Sequence, residues 1–300
     1  MTGFVQSKIE LERDVQNELL NWKNKRHHTV LQIEGPWHVG KTHEVKKFVY
    51  SHYKQVVYVN LVRDEYGFED LMLTDHFMRE YCRNAGIGEY VDDESTVLVI
   101  DEIQERANVY NAIRDLREQL GCDIIVSGSY LARTVNSRDF FLPAGIAYLQ
   151  MYPLSFKEFC RALNIEDILE TISLKSESKD EDYQKLEEAY QVYRKIGGYP
   201  LVVTTFIESR QIDDCMVVLE DLIRTFTAES SRFFTNSTAL SIFQEAYKAV
   251  LVQIAEEEKG TGKTFLEFVT NFVKDTVKEP VSSCYIPELS ATAIFIIMGM

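Results

Sequence analysis

One eight-residue stretch carries the residue types and the spacing needed to bind phosphate. It runs from Gly35 to Thr42 and matches the pattern G-x-x-x-x-G-K-[S/T] at every fixed position. Gly35 and Gly40 allow the backbone to curl so that successive N–H groups point at phosphate oxygens. Lys41 can reach the β- and γ-phosphates, and the Thr42 hydroxyl can ligate Mg²⁺. The stretch predicts a loop that binds ATP with Mg²⁺; a chance match in a surface turn is the alternative.

The sequence on either side of this loop supplies the context that the pattern requires. Residues 29–34 alternate and are β-rich, which predicts a strand, and residues 43–53 have apolar positions at helical spacing. The N-terminus of the following helix adds a partial positive charge towards the phosphates. The other residues expected to contact the nucleotide are Pro36, Trp37, His38, Val39 and His43.

Two adjacent carboxylates, Asp101 and Glu102, end a second apolar run, which begins at Thr96. A run of this kind predicts a central parallel strand covered on both faces. Ligands bind at the carboxyl ends of such strands. We expect Asp101 to hold the Mg²⁺ shell and Glu102 to orient and deprotonate the attacking water. The alternative is that the pair caps a helix predicted over residues 104–120.

A third apolar run, over residues 122–129, ends in Ser127, Gly128 and Ser129. In an ATPase sheet, the strand between those carrying the loop and the acid pair presents a polar residue to the γ-phosphate. Ser127 is the residue we predict for this role, and Ser129 is the second choice. A plain strand-to-turn sequence is the alternative, because Ser and Gly are common in turns.

These motifs need a parallel sheet to bring them together. Further strands are predicted over 55–60 and 147–151, and alternation with helical segments indicates a right-handed, doubly wound α/β fold. Ser155 is expected to cap a helix that runs through Phe159. Beyond residue 165 only helices are predicted. Besides the helices already named, helices are predicted at 5–26, 68–84, 183–196, 201–209, 213–229, 238–258 and 263–277.

A second GKT sequence, at Gly262-Lys263-Thr264, does not predict a second nucleotide site. Glu257 stands where the first glycine of the loop would have to be, and a helix precedes it rather than a strand.

The overall charge and the cysteines limit the partners and the compartment. The formal net charge is −15 at pH 7, which disfavours nucleic acid unless a local basic patch overrides it. The five cysteines are widely spaced with no C-x-x-C, which fits a reducing compartment. No apolar run is long enough to span a bilayer. We therefore expect a cytoplasmic protein that does not bind membranes.

Together these stretches resemble the AAA-like ATPase family AAA_14, the "ATP-binding protein" group often associated with a DUF4143-type or winged-helix region. That family is related to archaeal and STAND-type ATPases. The resemblance implies an ASCE/AAA-like P-loop domain over 1–165, a helical lid over 166–235 and a partial, winged-helix-like region over 236–300. It also implies that Pro200 lies near the nucleotide. The matching segments are 35–42, 101–104, 127–129, 153–156 with 158–159, and 197–200.

Two departures from the family pattern affect the site. Trp37-His38 stands where family loops often have Arg-Gln, which affects contacts at the nucleotide edge. Residues 142–145 replace the Gly-Arg that many relatives carry, so Arg133 and Arg138 are the nearby candidates for a cis-acting arginine.

The function expected from the sequence is ATP hydrolysis, with ATP, ADP and Mg²⁺ as ligands. Self-association or another protein partner fits the resemblance. Two alternatives stay open: a slow nucleotide-dependent switch, and a regulator that binds nucleic acid through the C-terminal region.

Overall fold

A computed structural model of the chain describes residues 9–25, 30–128, 140, 145–172 and 178–230. Several predictions fall outside these residues and are not addressed by the structure. They concern Ser129, Arg133, Arg138, residues 142–144, the GKT sequence at 262–264 and the region 231–300.

Five parallel strands form one sheet in the order β2-β3-β4-β1-β5. The predicted parallel α/β architecture is confirmed. β4 lies between β1, which precedes the phosphate loop, and β3, which ends in Asp101. The strands are β1 (Val30–Glu34), β2 (Gln55–Asn60), β3 (Thr96–Asp101), β4 (Asp123–Gly128) and β5 (Ile146–Gln150).

Helices cover the sheet and continue after β5. Those that accompany the sheet are α1 (Val15–Lys23), α2 (Lys41–His52), α3 (Phe68–Leu71), α4 (Phe77–Asn84), α5 (Ala107–Asn111) and α6 (Ile113–Gln119). Those that follow it are α7 (Phe156–Ala162), α8 (Glu166–Thr171), α9 (Asp180–Ile196), α10 (Pro200–Ser209) and α11 (Ile212–Ser230).

Three apolar clusters organise the described part of the chain. One packs α1 and α2 on one face of the sheet, and a second packs α3 to α6 on the other. Successive side chains of β3 point to opposite faces of the sheet, so Val97 and Val99 join the first cluster and Leu98 and Ile100 join the second. Asp101 follows Val97 and Val99 at the same two-residue spacing, so its carboxylate lies on the face of the sheet that α2 covers. The third cluster holds α7, α9 and α10 together with Leu11.

Two predicted helices are interrupted. The helix predicted over 68–84 is two helices, because Thr74 turns its N–H and hydroxyl back onto the Leu71 carbonyl and ends α3. The helix predicted over 104–120 begins with a 3₁₀ turn at Ile103–Glu105 and an extended Arg106 before α5. The turn keeps Ile103 and Gln104 close to Gly128.

The first helix is shorter than predicted. Within the predicted range 5–26, α1 begins only at Val15, and residues 9–13 are not helical. This lets Leu11 pack into the third cluster and the buried Arg13 reach the phosphate loop.

Contacts divide the chain into two units. Residues 1–129 and 139–222 form one compact unit, and the second comprises 130–138 and 223–300, of which only 223–230 are described. The domain boundaries at 165 and 235 stay a prediction. Among the described residues, no helix is both long and apolar enough to cross a membrane.

Candidate functional site

The phosphate loop joins β1 to α2 and depends on two glycines. A Cβ added to Gly35 would lie 2.0 Å from the Met151 carbonyl oxygen, so only glycine fits there. Gly40 caps α2 with φ 93°, a left-handed conformation that side chains disfavour. His38 also has positive φ, 61°, which histidine tolerates better than β-branched residues do.

The other loop positions differ in exposure. Val39 is fully buried and anchors the loop to the α2 side of the sheet. His38 and His43 are exposed, and Pro36 and Trp37 are half-buried. The Trp37 and His38 rings meet edge to face, with centroids 4.0 Å apart. Partial desolvation of the ring, although the residue as a whole is exposed, and the nearby charge of Lys41 lower the pKa of His38, so its ring is neutral at pH 7.

Lys41 folds its ammonium group back over the loop. Nζ donates to the carbonyls of Gly35 at 3.0 Å and Pro36 at 2.8 Å. Burial lowers the pKa of Lys41 to about 8, although the charges of Glu102 and Asp101 oppose that shift. The ammonium is therefore still mostly charged at pH 7, and it lies against two carbonyls of the phosphate loop.

Asp101 is the centre of the site. Its Oδ2 accepts the Thr42 hydroxyl at 2.8 Å and the Tyr58 hydroxyl at 2.5 Å. Its Oδ1 accepts the Ser127 hydroxyl and, at 3.1 Å, the Glu102 backbone N–H. Asp101 is 2% exposed, so these four donors replace water around a buried carboxylate. The structure thus brings together four residues that were predicted for this site: Thr42, Asp101, Glu102 and Ser127.

Glu102 begins the turn that follows β3. It has φ 58° and ψ 42°, so its side chain leaves the strand direction. Burial raises the pKa of the Glu102 carboxyl, a donated hydrogen bond from Gln104 lowers it, and the charge of Asp101 raises it again. The Gln104 amide nitrogen lies 2.5 Å from Glu102 Oε2. A carboxylate with a raised pKa is a better proton acceptor than an ordinary surface glutamate.

The oxygens of Thr42 and Asp101 fit a magnesium ion. Mg²⁺ is usually held in proteins by one or two carboxylates, waters and substrate phosphates rather than by a protein cage. In the described ranges, no group of three or more His, Cys, Asp or Glu side chains could hold a metal by itself. The donor set present is therefore of the kind that completes a Mg²⁺ shell together with phosphate oxygens.

Pro200 lies beside the phosphate loop. A Cβ added to Gly40 would be 3.8 Å from Pro200 Cγ. The turn before Pro200 is fixed by close packing, because a Cβ on Gly198 would lie 2.1 Å from the Leu154 carbonyl oxygen. The Leu154 N–H also donates to the Gly198 carbonyl at 2.7 Å. The segment 197–200, which ends at the first residue of α10, therefore packs against the residues that follow β5 and lies next to the phosphate loop.

Three site residues were not predicted from the sequence: Tyr58, Gln104 and Arg13. Tyr58 of β2 pairs with Val99 of β3, two residues before the pair of Asn60 with Asp101. The side of the sheet on which Tyr58 lies relative to Asp101 could be inferred only once this register was known. Gln104 was noted as part of the 101–104 segment without a role. For Arg13, no signal in the sequence indicates burial.

The strand order and this loop define a P-loop ATPase fold. Residues 27–160 match the family model AAA_14, described as an AAA domain. This match agrees with the resemblance to AAA-like P-loop ATPases that the sequence motifs carry.

One relative is an uncharacterised protein of Haemophilus influenzae, 29% identical over 110 residues. The alignment covers 37% of this chain and 24% of that protein, so the chain spans about a quarter of its relative's length.

The solved structures to which this chain is similar include two ATPases of archaea. A Walker-type ATPase of Pyrococcus abyssi is 13% identical, with a TM-score of 0.48 over 89% of this chain and 90% of that one. A STAND protein with a tetratricopeptide repeat sensor from Pyrococcus horikoshii is 16% identical, with a TM-score of 0.39 over 79% and 37%. Because these TM-scores lie below 0.5, the fold assignment rests on the strand order and the family match.

Proposed function

We propose that this domain binds ATP with Mg²⁺ and hydrolyses it to ADP and phosphate. The observation that carries the proposal is the 2.8 Å hydrogen bond from Thr42 to Asp101. It joins the first turn of α2 to the end of β3, residues 59 positions apart in sequence, and so places the phosphate loop beside the acid pair.

The chain's own groups account for binding. Backbone N–H groups of the loop and the N-terminus of α2 offer donors and partial positive charge to the phosphates. The Lys41 ammonium can exchange the carbonyls of Gly35 and Pro36 for the β- and γ-phosphate oxygens. Thr42 and Asp101 would hold a Mg²⁺ ion, which would neutralise charge at those oxygens.

Glu102 is the group that acts on water. A water molecule held by its carboxylate attacks the γ-phosphorus, and the bond from that phosphorus to the β-phosphate oxygen breaks. ADP leaves with the electron pair, and the water proton passes to Glu102 and then to solvent. Ser127 lies on the neighbouring strand, and its hydroxyl steadies Asp101 and faces the same edge of the sheet.

One observation favours a second candidate function, a slow nucleotide-dependent switch. The hydrogen bond that Gln104 donates to Glu102 Oε2 stabilises the charged carboxylate, which makes Glu102 a weaker base towards a water molecule. A switch would retain nucleotide through purification and release phosphate slowly. The nucleic-acid alternative depends on residues 236–300, which lie outside the described part of the chain.

The test is a titration with a fluorescent ATP analogue, followed by phosphate release with Mg²⁺ present. Lys41→Ala should weaken ATP binding about tenfold or more, the scale of one charge-assisted contact. Lys263→Ala, in the second GKT sequence, is the matched control and should leave affinity and turnover unchanged. Equal affinity of the wild type and Lys41→Ala would show that this loop is not the nucleotide site.

A further inference from the structure

Arg13 is a buried charged residue that touches the phosphate loop from behind. Its Nη1 donates to the Val39 carbonyl at 3.2 Å, and its Nη2 donates to the Tyr152 carbonyl at 2.7 Å. Its Nε pairs with Glu158 Oε1 at 3.0 Å. The guanidinium therefore connects three segments: the loop, the exit of β5 and helix α7.

Both members of the ion pair are shielded from water. The Arg13 side chain is 4% exposed and that of Glu158 is 7% exposed. Glu158 Oε1 also accepts the Asp14 N–H at 2.8 Å, and its Oε2 accepts the Ser155 N–H at 2.8 Å in the capping box of α7. Burying two charges is costly, and the pairing with Glu158 alone would not require a contact with the loop.

The contact with Val39 falls between two loop residues that have a left-handed backbone conformation. Val39 lies between His38 and Gly40, which have φ values of 61° and 93°. In a planar trans peptide, the carbonyl of one residue and the N–H of the next point in opposite directions. Holding the Val39 carbonyl towards Arg13 therefore turns the Gly40 N–H away from Arg13, towards the inside of the loop.

We propose that Arg13 is a positioning residue for nucleotide binding, because it fixes the direction of the Gly40 N–H through the Val39 carbonyl. This inference rests on the proposed ATP-binding function. It predicts that Arg13 affects the affinity for nucleotide rather than the chemical step, because Glu102 and Asp101 do not depend on its contacts.

The experiment compares two arginine-to-lysine variants of the full chain. Arg13→Lys keeps a positive charge beside Glu158, but one ammonium nitrogen cannot occupy the three positions of the planar guanidinium. Arg161→Lys is the matched control. Arg161, on α7, pairs with Asp14, the neighbour of Arg13, at 2.8 Å and with Glu166 of α8 at 2.6 Å, and none of its hydrogen bonds in the described ranges reaches the loop.

The readouts are the dissociation constant of a non-hydrolysable ATP analogue, KM and kcat for ATP, and the melting temperature. Arg13→Lys should raise the dissociation constant and KM about tenfold, the scale of a hydrogen bond from a charged donor, with kcat within about twofold of wild type. Arg161→Lys should leave the dissociation constant and KM unchanged. A folded Arg13→Lys variant with wild-type affinity and KM would overturn the proposal, and so would a loss confined to kcat.

A double variant removes the possibility that the result reflects an uncompensated buried charge. Arg13→Gln with Glu158→Gln has no buried charge, and glutamine still satisfies the capping box. The double variant should show the same loss of ATP affinity as Arg13→Lys, measured at a temperature where circular dichroism shows that the double variant and the wild type are folded. A double variant with wild-type affinity would also overturn the proposal. Failure of the wild type to bind ATP would instead contradict the proposed function itself.

Discussion

The Tyr58 hydroxyl donates to Asp101 Oδ2 at 2.5 Å, so a residue of the edge strand β2 shares the oxygen that also accepts Thr42. Burial of the hydroxyl and its bond to Asp101 raise the pKa of Tyr58, which keeps it a donor at any physiological pH. The Lys46 ammonium lies over the same ring, 4.1 Å from its centroid. Tyr58 therefore orients the carboxylate that we assign to the Mg²⁺ shell.

Tyr58→Phe should raise the Mg²⁺ concentration needed for half-maximal ATP turnover by about tenfold, at the low end for removing a residue that orients a metal ligand. The ring and its packing remain, so stability should change little. Phosphate release measured over a Mg²⁺ titration gives the result. Tyr50→Phe, on the exposed side of α2, is the control, and an unchanged Mg²⁺ requirement in Tyr58→Phe would contradict the role assigned to Tyr58.

ATP affinity should fall as pH rises through the pKa of Lys41. That pKa is about 8 in the folded protein, below its ordinary value of 10.5, and phosphates bind the charged form. Between pH 7 and 9 the fraction of charged Lys41 drops about tenfold, so the dissociation constant should rise by about the same factor. His38 does not contribute, because its lowered pKa keeps it neutral over this range.

Lys41→Arg provides the control for this pH dependence. An arginine stays charged across the range, so the variant should bind ATP with an affinity that does not change from pH 7 to 9. The measurement is a titration of the wild type and of Lys41→Arg with ATP at several pH values between 7 and 9. A wild-type affinity that is constant over the same range would mean that the Lys41 ammonium is not the charge that meets the phosphates.

Gln104→Leu should move the acidic limb of the pH–rate profile to higher pH. The amide of Gln104 stabilises the charged form of Glu102, so removing it raises the pKa of that carboxyl further. A base with a raised pKa is lost to protonation at a higher pH. The measurement is kcat against pH, with Gln119→Leu on the exposed end of α6 as the control, and an acidic limb that stays in place would contradict the prediction.

Local patterns in the sequence were sufficient to predict the strands and the phosphate loop. β2 has the predicted bounds, and β3 and β4 differ by a residue at one or both ends, because buried parallel strands require short, continuous apolar runs. The loop glycines and the pair at Asp101 and Glu102 also follow from spacing alone.

The contacts that tune the site were not predictable in the same way. Tyr58 and Arg13 act through partners 43 and up to 145 positions away, which no local pattern indicates. The interrupted helices have the same cause. Helical spacing is present over 104–120, but the packing of Gln104 and Ile103 against Gly128 imposes a tighter turn. Tertiary contacts override propensity at such places.

The most direct test of the central claim is the turnover of Glu102→Gln. The change keeps the shape of the side chain and removes its basic oxygen, while Lys41, Thr42 and Asp101 remain. ATP binding should therefore survive, and phosphate release should fall by about 10²-fold or more, within the range for loss of a general base. Glu105→Gln, in the same turn, is the control and should keep the wild-type rate.

The measurement is single-turnover phosphate release with Mg²⁺, together with chromatography of the nucleotide released from the denatured protein. We expect Glu102→Gln to accumulate bound ATP, whereas the wild type contains ADP. Hydrolysis by Glu102→Gln at the wild-type rate would contradict this expectation, since Glu102 would then serve only to end β3 and begin the turn.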